Sequence, residues 1–189
     1  MFPASRRRLA LVLSALVVVA AAAWVALRAV VRGGGVRTIV LVTVDTLRRD
    51  RVGAYGAKTV TTPRMDEIAS EGIRFDDART PIPLTLPAHT TMLSGLSPAA
   101  HGVRVNGASR LPPRGERGFP LLAETLSDHG RRCGAFVSAG PLAGWFGLSQ
   151  GFEVYDDFGL DDFGGLSFVE RRGTDTVARA LAWLAGLPK

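Results

Sequence analysis

Residues 38–44 read Thr-Ile-Val-Leu-Val-Thr-Val, and a run of that kind has few places to go in a folded chain. Its β-branched side chains lose χ1 freedom in a helix and fit a pleated strand. Its apolar residues do not alternate with polar ones, so no face is left for water. That is the pattern of a strand covered on both sides in a parallel sheet. Such sheets carry helices on their faces, which sets the expectation of an α/β fold. The run ends in Asp45. Ligands of open parallel sheets bind beyond the carboxyl ends of the strands, so an acid there is placed to hold a metal ion; the alternative is a polar residue that merely ends the strand.

Helical patterns follow. Thr62 as cap, Pro63 at the first position and Gly72 just past the end frame a helix with Met65, Ile68 and Ala69 as its inward stripe. Residues 73–75 begin a second strand. Pro87 opens another helix, which runs through Thr90, Met92 and Leu93 to a stop at Gly95. A helix over residues 120–129, stopped at Gly130, leads into a strand at 133–138. The chain has one cysteine, Cys133, which closes no disulfide within the chain and reads as a buried strand residue. Residues 140–173 show no clean period and read as loop. A last amphipathic helix, capped by Thr174 or Asp175, carries Val177, Ala180, Leu181 and Leu184 at helical spacing. There is no internal repeat.

The N-terminal segment bears on where the domain works. Arg6, Arg7 and Arg8 precede residues 9–27, an uncharged run of 19 broken only by Ser14 among its apolar side chains and closed by Arg28. At about 1.5 Å of rise per residue such a helix spans about 28 Å, close to the roughly 30 Å core of a bilayer. The expectation is a transmembrane signal anchor over 9–27, with residues 1–8 as its cytoplasmic basic flank, residues 28–37 as a glycine-containing linker, and the domain over 38–189. A cleaved signal peptide competes, because Ala20 to Ala23 suit a peptidase. Both readings place the domain outside the cytoplasm, in a periplasm or at the cell surface. The formal charge of +6 belongs to this segment: six arginines and no acid precede residue 38, leaving 17 basic against 17 acidic residues after it. A neutral domain offers no electrostatic footprint for nucleic acid, and that class of partner is set aside.

Chemistry concentrates around Thr85 and His89. Thr85 stands two residues before the proline expected to open a helix, where unpaired N–H groups attract an anion and favour an alkoxide. It is a candidate nucleophile or a capping threonine. His89, one turn on, is a candidate proton donor or anion contact. His101, Gly102 and Asn106 follow in a loop, where the Asn106 amide suits an oxyanion or plain turn chemistry. Asp128-His129-Gly130 has the look of a metal motif but reads as the stop of a helix.

Taken in order, Val44-Asp45-Thr46-Leu47-Arg48-Arg49-Asp50, Thr62-Pro63-Arg64-Met65-Asp66, Gly72-Ile73-Arg74-Phe75, Leu84-Thr85-Leu86-Pro87-Ala88-His89, Leu93-Ser94-Gly95 and His101-Gly102-Val103 resemble the N-terminal part of a sulfatase domain of the alkaline phosphatase superfamily. The resemblance implies an α/β domain whose mostly parallel sheet is flanked by helices and is incomplete in this chain. It implies hydrolysis of an anionic sulfate or phosphate ester by in-line attack of a metal-bound nucleophile. Asp45 and Thr85 fall on metal positions, Thr85 on the nucleophile, His89 on the place of the family motif's arginine with a catalytic and substrate-binding role, and Asn106 beside the ester oxygens. The cofactor implied is a divalent cation, calcium, zinc or manganese. Two departures stand out. Thr85 replaces the cysteine or serine that matures to formylglycine, and threonine nucleophiles belong to phosphodiesterase and phosphoethanolamine-transferase relatives. Asp45-Thr46 replaces a pair of acids. The family's further metal ligands lie well downstream, so the chain reads as a fragment. Beside the hydrolase stand an inactive anchored binding module and a transferase that moves a phospho-group onto an envelope lipid or glycan.

Overall fold

The structure, a computed structural model, describes residues 38–157 and 170–187. The chain divides into two compact units, Met1–Leu47 and Arg48–Lys189. Of the first unit, residues 38–47 are described. Residues 38–44 make no ladder with any described residue, and Ile39, Leu41 and Val42 are 63%, 58% and 75% exposed. The expected buried strand is therefore not formed here. A run of this composition is buried only when neighbouring strands and helices cover it. Asp45 lies in a turn instead of ending a strand: the Thr46 N–H donates to Asp45 Oδ1 at 3.0 Å, and Thr46 has a φ of 54°.

The second unit begins with two 3-10 turns, Arg49–Arg51 and Gly53–Tyr55, tied to helix α1, Pro63–Glu71. Thr62 does not cap that helix with its side chain. Its Oγ1 accepts from the Gly53 N–H at 2.8 Å and donates to Asp66 Oδ1 at 3.0 Å, and Asp66 Oδ1 accepts from the Ala54 N–H at 2.6 Å. The Thr62 and Asp66 of the family-like motif thus join turn to helix. Gly53 is needed there, because a Cβ would run into the Asp66 carboxylate. The expected inward stripe of α1 is open instead, with Ile68 at 71% exposure, and residues 73–75 form no strand, Ile73 being 85% exposed.

Four helices follow: α2, Thr85–Ser94; α3, Pro98–His101; α4, Arg114–Arg117; and α5, Leu122–Asp128. Strand β1, Gly134–Phe136, pairs in parallel with β2, Val154–Asp156, in the register Gly134 to Val154, and helix α6, Gly173–Ala185, packs over β1. Helices with a parallel pair of strands place the unit in the α/β class. The stretch read as loop therefore holds β2 and two further 3-10 turns, Gly140–Leu142 and Gly144–Phe146. Residues 158–169 of it lie outside the described residues.

One core joins these pieces. Leu86, Val103, Leu111, Leu121, Leu142, Ala143, Phe146 and Leu148 are buried together. Each fully buried large side chain contributes about 1.5–3 kcal/mol. A buried ion pair sits beside them. Arg117 pairs with Glu124 at 2% and 8% side-chain exposure, Glu124 Oε2 accepts from the Leu121 N–H at 2.7 Å, and Arg117 Nη1 donates to Gln150 Oε1 at 2.7 Å. These bonds connect α4 to α5 and to the chain after the last 3-10 turn. Cys133 is buried as expected, and burial pushes its thiol pKa up.

On α6 the inward face matches the expected one in part: Ala180 and Leu184 are half-buried, as expected. Val177 and Leu181 are 56% and 60% exposed, while the Trp183 ring lies tilted against Phe136 with centroids 6.0 Å apart and meets Gly134, where a Cβ would lie 3.0 Å from it. The helix also begins at Gly173, ahead of the caps expected at Thr174 or Asp175. Among the described residues no helix is long and apolar enough to cross a membrane; residues 9–27 lie outside them.

Candidate functional site

Helix α2 begins two residues earlier than the sequence suggests, so Thr85 is its first residue and not a residue ahead of it. Leu84 is extended, and its carbonyl accepts from the Ala88 N–H at 2.9 Å, which closes the first helical turn. Pro87 falls third, still within the turn where a helix needs no N–H from it. Leu86, Pro87 and Thr90 are buried, which fixes the roll of the helix and leaves Thr85 and His89 half-buried, one above the other at i and i+4.

His89 Nδ1 lies 2.8 Å from the Thr85 carbonyl oxygen. A carbonyl only accepts, so Nδ1 carries the hydrogen and the neutral ring keeps its lone pair on Nε2. The ring end able to exchange a proton with a ligand is thereby set.

Asn106 reaches the same helix start from the loop after α3. The Leu86 N–H donates to Asn106 Oδ1 at 2.9 Å. This corrects the expectation of a row of unpaired amides: Leu86 is satisfied by Asn106, Pro87 has no N–H, and the first-turn amides outside these are those of Leu84 and Thr85. The helix dipole still favours negative charge there. The bond uses the acceptor end of the carboxamide, whereas binding an ester oxygen uses the donor end, so the two are compatible.

His101 is 5% exposed and serves neither as a loop residue nor as surface turn chemistry. Its Nδ1 accepts from the Val103 N–H at 3.1 Å, which leaves the hydrogen on Nε2 to be donated to Thr91 Oγ1 at 3.0 Å. Burial pushes its imidazole pKa below the ordinary value. Sequence reasoning missed these links. The signal available was His101-Gly102 ending a short helix, with Gly102 left-handed at φ 80°.

Thr85, His89 and Asn106 thus gather at one helix start in the second unit, while Asp45 belongs to the first unit. Asp45 and Thr85 are hard oxygen donors of the type a divalent cation takes, but two fall short of the roughly six it needs. Among the described residues no three histidines, cysteines or acids converge as a metal site. These residues alone do not fit the cofactor. Asp128 and His129 are a helix stop, as expected: Asp128 pairs with Arg114 at 2.8 Å, His129 Nδ1 bonds the Thr125 carbonyl at 2.7 Å, and Gly130 has a φ of 72°.

Residues 37–175 match the family model described as Sulfatase. Among curated proteins the chain is similar to arylsulfatase A of Homo sapiens, 32% identical over 125 residues that make up 62% of this chain and 24% of that protein. It is similar to an arylsulfatase of Clostridium perfringens (strain 13 / Type A), 38% identical over 64 residues, 34% of this chain and 13% of that one. It is also similar to the Delta 4,5-hexuronate-2-O-sulfatase of Bacteroides thetaiotaomicron, 28% identical over 151 residues, 79% of this chain and 31% of that one. The chain spans less than a third of the length of these relatives. No solved structure matches it. With the match covering most of its residues, including the helix start that carries Thr85, the chain belongs to the sulfatase family.

Proposed function

We propose that the protein hydrolyses sulfate or phosphate esters with Thr85 as nucleophile. The observation that carries this reading is the grouping of Thr85, His89 and Asn106 at the start of α2, inside the segment that matches the sulfatase family. In the proposed step Thr85 Oγ attacks the sulfur or phosphorus, its proton passes to a base, and the bond to the ester oxygen breaks. The leaving alkoxide takes the Nε2 proton of the His89 imidazolium, which returns the ring to its neutral Nδ1–H form, and the Asn106 amide donates to a non-bridging oxygen. Water then cleaves the adduct and restores Thr85. A divalent cation, calcium, zinc or manganese, belongs to the same proposal, with Asp45 and Thr85 as part of its ligand set. So do anchoring through residues 9–27, with residues 1–8 cytoplasmic and 28–37 as linker, and a domain from residue 38 at work in a periplasm or at the cell surface.

A second reading has a specific observation behind it. A threonine gives no formylglycine, which favours phosphoester chemistry over sulfate and includes transfer of a phospho-group to an envelope acceptor.

The test assays the full-length protein in detergent with p-nitrophenyl sulfate and bis(p-nitrophenyl) phosphate, adding calcium, zinc or manganese, beside Thr85→Ala. Metal-dependent turnover that falls at least about 10³-fold in the variant supports the nucleophile and selects the ester. Ester binding without turnover moves the assignment to an anchored binding module.

A further inference from the structure

The loop that delivers Asn106 is fastened to α2 at both of its ends. At its far end Asn106 Oδ1 takes the Leu86 N–H at 2.9 Å. At its near end His101 bridges α2 to the loop, donating to Thr91 Oγ1 at 3.0 Å and accepting from the Val103 N–H at 3.1 Å. Between these points Val103 is 1% exposed in the core, and Ser109 Oγ accepts from the Arg104 and Val105 N–H groups at 3.2 and 3.3 Å. The loop therefore has little freedom of its own. The imidazole supplies two bonds of opposite sense at once, one donated and one accepted, and each is made about 3 Å away to a different segment. An Nε2–H tautomer is required for both, and a protonated ring would lose the Val103 bond.

We propose that His101 is a positioning residue for the site at Thr85. By holding Val103 to α2 it fixes the loop, so that the Asn106 carboxamide meets the Leu86 N–H through its oxygen and presents its donor end beside the Thr85 hydroxyl. The proposal rests on the reading of Thr85 as nucleophile and of Asn106 as an ester contact, and adds a residue that touches neither. Misplacement of a transition-state contact by about 1 Å costs roughly 10²-fold in rate, which is the scale on which such a brace acts.

The test separates the two bonds of the ring. His101→Asn keeps an acceptor near the place of Nδ1, and His101→Gln keeps reach toward Thr91 while losing that acceptor. Thr91→Val removes only the hydroxyl and changes little in volume. Single-residue amide hydrogen exchange is read on the complete chain, with the Leu93 amide inside α2 as reference. The expected result is a fall of at least about tenfold in Leu86 protection in His101→Gln, substantial recovery in His101→Asn, and a smaller fall in Thr91→Val, with Leu93 unchanged in all three. In the turnover assay the same order appears in kcat, while KM moves less. Unchanged Leu86 protection in folded His101→Gln and Thr91→Val overturns the proposal. Equal loss of Leu86 and Leu93 protection in both His101 variants also overturns it, since that marks general packing. A wild-type chain with the expected exchange pattern but no Thr85-dependent turnover keeps the brace and rejects the nucleophile, so the two failures are told apart.

Discussion

Asn106 does with its side-chain oxygen what an N-cap residue does from inside the helix, because Leu84 has no side-chain oxygen to cap with. Asn106→Ala is therefore expected to destabilise the second unit by about 1 kcal/mol, measured by denaturant unfolding. Thr85 and His89 were legible in the sequence because i,i+4 spacing next to a proline fixes a shared face whichever residue opens the helix. His101 was not, because its role exists only through Thr91 and Val103, and no local pattern announces a long-range hydrogen bond. Asp156 makes the same point for charge. Burial opposes its ionised form, but hydrogen bonds and charge from Arg171 and Arg179 outweigh that and hold its pKa below the usual carboxylate range. A lowered folded-state value means a contribution to stability that is present above the unfolded value of about 3.9 and lost as pH falls through the folded one. Asp156→Asn should flatten the melting temperature against pH below about pH 4 relative to wild type, as read by circular dichroism.

At the scale of elements, the fold rests on contacts that periodicity does not reveal. Strands β1 and β2 have three residues each, too few for an alternation to be read, and their pairing is decided by the Trp183 face of α6 and by the core beneath. Trp183→Ala should cost about 3 kcal/mol, while Leu181→Ala, at 60% exposure, should cost under about 1 kcal/mol, the reverse of what helical spacing suggests. The helix at 120–129 was legible, because Gly130 stops it. Its partner Arg117 was not, since the pair is made by packing α4 against α5. Glu124→Ala leaves a buried guanidinium unpaired, and a loss of about 3–5 kcal/mol is expected from thermal or denaturant unfolding.

Over the whole molecule, the α/β class and the family were readable from the order and spacing of short motifs, while the sheet was not. The run at 38–44 that sets the expectation is exposed at Ile39, Val40, Leu41, Val42 and Val44, and Ile68, Ile73 and Phe75 of the second unit are open as well. Unpaired strand edges and exposed apolar surface drive association. Residues 38–189 expressed alone should run as oligomers in sedimentation velocity, and Val40→Lys with Val42→Lys should raise the monomer fraction severalfold; a monodisperse wild-type sample would contradict this. The most direct test of the central claim is the fate of Thr85 during turnover. The complete chain, incubated with an aryl sulfate or aryl phosphodiester and the divalent cations, is quenched in acid and mapped by peptide mass spectrometry. A sulfuryl or phosphoryl adduct on the peptide containing Thr85, absent from Thr85→Ala, is the predicted result. Ester turnover with no adduct on Thr85, or with the adduct on another residue, would contradict it.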